Sequence, residues 1–371
     1  MTETLDRATH ARCHRITPAL AEWYRARRRD LPWRATDDPY RIWLSEIMLQ
    51  QTQVDTVLPY YARFLEAYPN VESLSAADLD YVLVLWEGLG YYSRARNLHR
   101  AARVLIEQYD GQLPDSYEAL LEIPGIGEYT AGAVGSIAFG LRVPAIDGNV
   151  VRVLCRLFDY AGDPRRAAGK RIVRAWAEAL LPQEAVGEHN QALMELGAMV
   201  CSPKAPLCGE CPLSELCLGL ERDTVSQRPM PRPRRIVPLK TWAVALCERQ
   251  GRILVVRRIP SGLLGGLWEL PGCEVREDAD AYSEPLGASL RTALGVGLSQ
   301  ATEVAQVRHA YTHFRIAVHV LRVELEGEAV VSQPWDRQHW LAADEMSQYA
   351  FTGVTNKILS TVPWPGAGLL L

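Results

Sequence analysis

The chain has 371 residues, 48% of them hydrophobic, and carries 40 Lys and Arg against 44 Asp and Glu, a formal net charge of −4. That length implies two or more domains with filled cores. No apolar run approaches a membrane span, and the Arg-rich start has no apolar stretch behind it, so a cytoplasmic protein with no membrane attachment is expected. Charge also argues against a broad cationic face. Up to Met230 there are 25 Lys and Arg against 30 Asp and Glu, so any polyanion must be held by local clusters and backbone amides.

In chain order, the first such cluster is Arg25, Arg27, Arg28 and Arg29. Asp38-Pro39 then starts a helix, with Asp as N-cap and Pro at the first position. Val54, Val57, Leu58, Tyr61 and Leu65 keep helical spacing, and Pro59 predicts a kink or a new start. Leu121-Glu-Ile-Pro-Gly-Ile-Gly-Glu-Tyr-Thr-Ala131 predicts a tight turn between two helices. Gly125 and Gly127 would let the backbone bend and let a ligand approach. The amides that open the second helix can bind a phosphate without a cationic side chain. Asp147, twenty residues beyond this turn, can N-cap the helix carrying Val150, Val153, Leu154 and Leu157, or display a carboxylate beside a bound ligand.

Cys201, Cys208, Cys211 and Cys217 follow, spaced C-x6-C-x2-C-x5-C. Four thiolates in so short a run can wrap one metal centre, an iron–sulfur cluster or a tetrahedral zinc. The uneven spacing fits the cluster better; two disulfides are the alternative, disfavoured in a reducing compartment. Residues 223–238 read as an extended linker, with Pro229, Pro231, Pro233 and Pro238 interleaved with Arg228, Arg232, Arg234 and Arg235. Beyond it, Trp242-Ala-Val-Ala-Leu and Arg252-Ile-Leu-Val-Val flank a Gln250-Gly251 turn and predict a hairpin, and Arg315 to Leu325 predicts another strand. The expected fold is therefore multidomain, an all-α half followed by an α/β half. The expected division is 1–222, a 223–238 linker, and 239–371.

Hairpin, trailing Asp147 and the cysteine spacing together resemble the endonuclease III superfamily of helix-hairpin-helix DNA glycosylases. The likeness runs from about Leu31 to Cys217. It implies that the four cysteines hold a 4Fe-4S cluster and that Asp147 is essential for base excision. Bifunctional members carry a lysine nucleophile in the hairpin; here that position is Tyr129, which cannot form an imine, so strand cleavage by that route is not expected.

Trp43-Leu-Ser-Glu-Ile-Met-Leu-Gln-Gln-Thr-Gln53, with Leu31-Pro-Trp-Arg34 before it and Gly88-Leu-Gly-Tyr-Tyr-Ser-Arg94 after it, resembles the adenine DNA glycosylases of the MutY type. Those enzymes remove adenine mispaired with 8-oxoguanine or guanine in double-stranded DNA. Adenine leaves poorly as an anion, so one carboxylic acid must protonate it while one carboxylate faces the sugar cation. The resemblance makes Glu46 the acid, acting at N7, and Asp147 the carboxylate. It makes Tyr129 and Asn149 their orienting partners and Gln191 a reader of the adenine edge. Base extrusion needs a plug and a wedge; Gln51 and Tyr91 fit by position, with Leu89 beside them, and Arg29 and Thr52 are carried over as further contacts.

Trp242 to Leu359 resembles the Nudix-like domain of the same family, including Gly265-Gly-Leu-Trp-Glu-Leu-Pro-Gly272. A working Nudix hydrolase needs an acidic helix to hold magnesium. Here the aligned stretch is Ala288-Ser-Leu-Arg-Thr-Ala293, so recognition rather than hydrolysis is expected. Tyr311-Thr312-His313 stands where the family usually has Phe-Ser-His, and would touch 8-oxoguanine through the Thr312 hydroxyl. A monomer is expected. The competing readings are a thymine or other mismatch glycosylase of the same fold, a non-catalytic iron–sulfur DNA-binding protein, and a Nudix hydrolase.

Overall fold

The structure is a computed structural model that describes residues 7–232, 237–276 and 282–364. Within the linker, Pro233, Arg234 and Arg235 lie outside the described residues. In chain order the helices are α1 Arg7–Arg27, α2 Pro39–Leu49, α3 Val54–Ala67, α4 Val71–Ala76, α5 Leu79–Trp86, α6 Ser93–Tyr109, α7 Tyr117–Glu122, α8 Glu128–Phe139, α9 Gly148–Leu157, α10 Ala167–Leu180, α11 Val186–Met199 and α12 Leu218–Glu221. After the linker come β1 Leu239–Arg249, β2 Arg252–Arg258, β3 Trp268–Glu269, β4 Gly272–Val275, α13 Ser283–Leu294, β5 Leu298–Ala310, β6 Arg315–Leu325, β7 Trp335–Leu341 and α14 Gly353–Thr361. No described helix is long and apolar enough to cross a membrane.

Packing makes two units. One ends at Ala76, resumes at Asn97 and runs to the linker; the other takes Ala77–Arg96 together with the chain beyond the linker. In the helical unit the start signals act as expected. Asp38 accepts the Tyr40 amide at 2.9 Å with Pro39 at the first position, and Asp147 accepts from Val150 to open α9; Ser116, not read as a start in the sequence, accepts from Ala119 to open α7. Pro59 sits inside α3, whose Val57, Tyr61 and Phe64 are buried on one helical face. The core joins Ile16, Leu20 and Tyr24 of α1 to Val150, Val153 and Leu154 of α9 and to Leu193 and Leu196 of α11. This packing fixes where Asp147 begins its helix.

The other unit is built on a seven-stranded sheet of order β3-β2-β1-β6-β5, with β4 on β1 and β7 on β2. β1 and β6 run parallel, while β1 and β2 form a hairpin. Gln250 and Gly251 turn that hairpin at φ 50° and 78°, the left-handed pair that suits right-twisted strands. Along β1, Val244 and Leu246 enter a cluster with Ile358 and Leu359 of α14, while Ala243, Ala245 and Cys247 enter one with Leu286 and Leu290 of α13. Both faces are covered, which explains why β1 reads as a continuous apolar run rather than an alternating one.

Between α7 and α8 the chain turns at Gly125, φ 83°, where an added Cβ would stand 2.6 Å from the Cβ of Asn97. The bend belongs to Gly125 alone; at Gly127 a Cβ would meet open space, and φ is −99°. No side chain caps α8, so its first amides stay available to a ligand. Gly125→Ala is expected to destabilise the helical unit by roughly 1–3 kcal/mol through left-handed strain and the Asn97 contact. Gly127→Ala is expected to leave stability almost unchanged. Chemical denaturation of both variants checks this contrast.

Candidate active site and cysteine loop

A cleft of about 430 Å³ opens in the helical unit, and Glu46, Tyr129, Asp147, Asn149, Gln191, Arg29 and Thr52 all line it. Glu46 lies on α2, eight of whose eleven residues are buried, and is itself only 5% exposed. The Tyr129 hydroxyl donates a short hydrogen bond to Glu46 Oε2. Burial pushes the Glu46 carboxyl up to about 7; the Tyr129 hydrogen bond opposes the rise and the neighbouring charge of Asp147 adds to it. Asp147 also lies above its ordinary value because it is buried, but it has more support as an anion. It accepts the Val150 amide and the Asn149 side-chain amide, each at 2.7 Å. Two carboxyls thus share one cleft with unequal hydrogen bonding, an arrangement that can keep one protonated and one ionised.

The cleft wall holds an ion cluster that sequence reasoning missed. Glu195, 1% exposed, takes Arg29 Nη2 at 2.6 Å and Arg34 Nη2 at 2.8 Å. Burial alone would raise its carboxyl, but hydrogen bonds from Arg29 and Arg34 outweigh that and hold it at about 2. Arg29 is therefore in the cleft, engaged with Glu195. The one available signal was that Glu195 stands four residues after Gln191 on a helix, on the same face. Gln191 accepts a hydrogen bond from Tyr24 at 3.2 Å. Gln51 does not line the cleft; it is exposed beside it at φ 59°, a strained position for a side-chain-bearing residue.

Leu89, Tyr91, Tyr311, Thr312 and His313 belong to the other unit. The loop of Leu89 and Tyr91 is tightly held: Trp86 Nε1 donates to Gly90 O, and Arg94 donates to the carbonyls of Leu89 and Gly90. Leu89 is buried, whereas Tyr91 is 36% exposed at φ 48° and shares a 3.0 Å hydrogen bond with Thr312. The segment is fastened by residues from far along the chain. Asp80 pairs with Arg257 at 2.9 Å, Arg96 donates to Gly265 O at 2.7 Å, and Glu87 accepts from the Phe351 amide and the Asn356 side chain. Tyr311 to Phe314 form the turn between β5 and β6, closed by the Tyr311 amide on Phe314 O at 2.9 Å. Tyr311 packs against Phe314 and the core, and its burial pushes the hydroxyl up to about 12, so it anchors the turn; Thr312 and His313 face solvent.

All four thiols of Cys201, Cys208, Cys211 and Cys217 are free and line one small cavity with Arg156 and Leu207. No three of the described His, Cys, Asp and Glu side chains are arranged to hold a single metal ion. Four thiols around one cavity are the donor set that a metal centre taking cysteine thiolates would need. Arg156, buried and also missed in the sequence, donates to the Cys201 sulfur at 3.3 Å and to Ser202 O and Pro203 O. Its neighbour Arg152 donates to Cys201 O at 2.8 Å and to Asn149 Oδ1 at 2.8 Å, so the cysteine loop and the partner of Asp147 share one guanidinium.

Residues 44–178 match the model of the HhH-GPD superfamily of base excision DNA repair proteins, and residues 242–361 match the NUDIX domain model. The helical part is thus that of a base excision DNA glycosylase. A solved thermostable thymine-DNA glycosylase is similar, with TM-score 0.54 and 32% identity, covering 58% of this chain and 99% of its own. The adenine DNA glycosylase of Homo sapiens is 33% identical over 92% of this chain and 72% of its own length. That of Arabidopsis thaliana is 33% identical over 93% of this chain and 64% of its own. The chain belongs to the adenine DNA glycosylase family.

Glu195→Gln would leave two guanidiniums in the wall without their carboxylate. Breaking such a buried pair is expected to cost about 3–5 kcal/mol, nearer the lower end because Arg29 is partly exposed. Urea denaturation of the variant at neutral pH checks it.

Proposed function

We propose that the chain hydrolyses the N-glycosidic bond of adenine mispaired with 8-oxoguanine or guanine in double-stranded DNA, without cutting the strand. The observation that carries this reading is the buried Glu46 carboxyl, raised to about 7, beside the better-supported carboxylate of Asp147. Glu46 donates its proton to N7 as the glycosidic bond stretches, which turns adenine into a neutral leaving group. Asp147 stays ionised and faces the developing sugar cation, with Asn149 and the Val150 amide fixing its orientation. Tyr129 occupies the hairpin position of the lysine that bifunctional relatives use, and its hydroxyl is spent on Glu46. Gln191, Arg29 and Thr52 shape the adenine side of the cleft. A thymine glycosylase, which the structural likeness also raises, has no purine N7 to protonate and no use for a raised acid at Glu46.

Gln51 is the residue that fills the gap left by an extruded base, and Tyr91 is the wedge. Thr312, exposed next to Tyr91, contacts the 8-oxoguanine; His313 flanks it. Cys201, Cys208, Cys211 and Cys217 hold a 4Fe-4S cluster, and the chain works as a cytoplasmic monomer. When bound, the cluster would tie the loop together by taking the four cysteine thiolates as its ligands. Arg156 and Arg152 tie the loop that carries them to α9.

Single-turnover adenine release is the direct test. Glu46→Gln should bind mispaired DNA yet release no adenine, and Asp147→Asn should also be inactive. A Glu46→Gln variant at the wild-type rate would remove Glu46 from the mechanism. In the wild type the rate should rise as Asp147 ionises and fall as pH passes about 7, because Glu46 then loses the proton it must give. A rate that keeps rising well above that pH contradicts the assignment of the acid.

For the cysteines, protein prepared without oxygen should be straw-brown and contain iron and labile sulfide in equal amounts. Zinc in place of iron would overturn the cluster assignment.

A further inference from the structure

A second cleft in the helical unit, about 870 Å³, is roughly twice as large as the one holding Glu46. Gly148 and Val151 of α9 line it, whereas Asp147 and Asn149 line the catalytic cleft, so the first turn of α9 divides the two. Its apolar lining includes Ile146, Val151 and Val173. Its charged lining is lopsided, with Arg165, Lys170, Arg171, Arg174 and Arg232 against the single acid Glu128. Glu128 is taken by Arg174 at 2.7 Å, and Arg165 is taken by Asp163. Lys170 and Arg171 are exposed, and no ion pair holds either of them among the described residues.

In a half of the chain that is acidic overall, this concentration of cations marks a place for an anion. Two further features favour an extended one. First, the cleft adjoins the first residues of α8 and α9, Glu128 and Gly148, where helix dipoles are positive. Second, the cationic lining runs from Lys170 and Arg171 on α10 to Arg232 on the linker, so cations stand on two walls of the cleft. The opposite wall is the start of the linker, Pro229 to Arg232, fixed to the end of α9 by Arg228 on Asp159 at 2.8 Å. That wall is a defined surface with an exposed Met230 and the Arg232 charge.

We propose that this cleft seats the phosphate backbone of the same DNA duplex beyond the extruded nucleotide, with Lys170 and Arg171 as the contacts and the linker start as the outer wall. Its lining reaches the uncapped start of α8 after the hairpin and the first turn of α9 beside Asp147, which favours the DNA duplex over an acidic protein partner. The inference rests on the reading that the chain acts on duplex DNA, and it adds a track outside the site where the base is excised.

The test uses the full chain and reads DNA affinity, first on undamaged duplex and then on duplexes with a central A:8-oxoguanine pair, so its readout is not adenine release. Lys170→Ala/Arg171→Ala removes two exposed charges at helix positions where alanine is well tolerated, and a far-UV circular dichroism spectrum checks folding. Affinity is measured against salt, and again on duplexes lengthened on one side of a central A:8-oxoguanine pair or on the other. The double variant should lose about 2 from the slope of log affinity on log salt. It should also lose the gain that the wild type shows on lengthening one side, and keep the gain on the other. An unchanged slope overturns the proposal, and so does an equal loss on both sides, which would mean diffuse charge only. A wild-type chain that bound no duplex at all would fail the DNA reading itself, a separate outcome.

Discussion

The rest of the site depends on one carboxyl being kept in a dry place. Glu46 sits in the most buried stretch of α2, and a phenol is its hydrogen-bond donor. Two guanidiniums line the same cleft, and either one free could hold Glu46 ionised at neutral pH. Glu195 prevents this by taking both Arg29 and Arg34. The pull of Arg34 on Glu46 accordingly ranks below burial, the Tyr129 hydrogen bond and the charge of Asp147. A carboxylate with well-matched partners thus protects an acid that has few. The asymmetry between Glu46 and Asp147 follows from the same logic, since only Asp147 opens a helix and receives its amide.

The two units divide the remaining work by chemistry. The helical unit carries the carboxylates, the hairpin amides and the cysteine loop. The sheet unit carries two exposed polar residues in the turn after β5, and it also holds the strained loop with Tyr91. Because Asp80, Glu87 and Arg96 are fastened by Arg257, Asn356 and Gly265, the sheet unit supports that loop as well as presenting Thr312. Loss of the chain beyond the linker would remove those partners as well as Thr312. The half-buried Arg152 and the buried Arg156 play a comparable part in the helical unit, where they satisfy the carbonyls of the cysteine loop and reach Asn149.

Features that are local in sequence were legible without the structure. The Asp38-Pro39 start, the Gln250-Gly251 turn, the hairpin before α8 and the cysteine spacing each depend on a few neighbouring residues. The Glu46 segment was legible only through resemblance, because a lone helical glutamate carries no signal of its own. What stayed hidden is what long-range packing decides. Glu195 meets Arg29 across 166 positions, and Asp80 meets Arg257 across 177, and no spacing rule connects them. Tyr311 was grouped with Thr312 and His313 in sequence, yet it packs half-buried against Phe314 and anchors their turn. The allegiance of Ala77–Arg96 to the sheet unit was hidden for the same reason.

The central claim is that the Glu46 carboxyl in the free protein, before any DNA arrives, still carries its proton in much of the population at neutral pH. Isotope-edited infrared spectroscopy, with glutamate carboxyls labelled and Glu46→Gln as the subtraction reference, reads that proton directly. The account predicts a protonated carboxyl band assigned to Glu46 that disappears with a midpoint near pH 7. A Glu46 carboxyl that titrates in the ordinary range, at about 4.3, would contradict it.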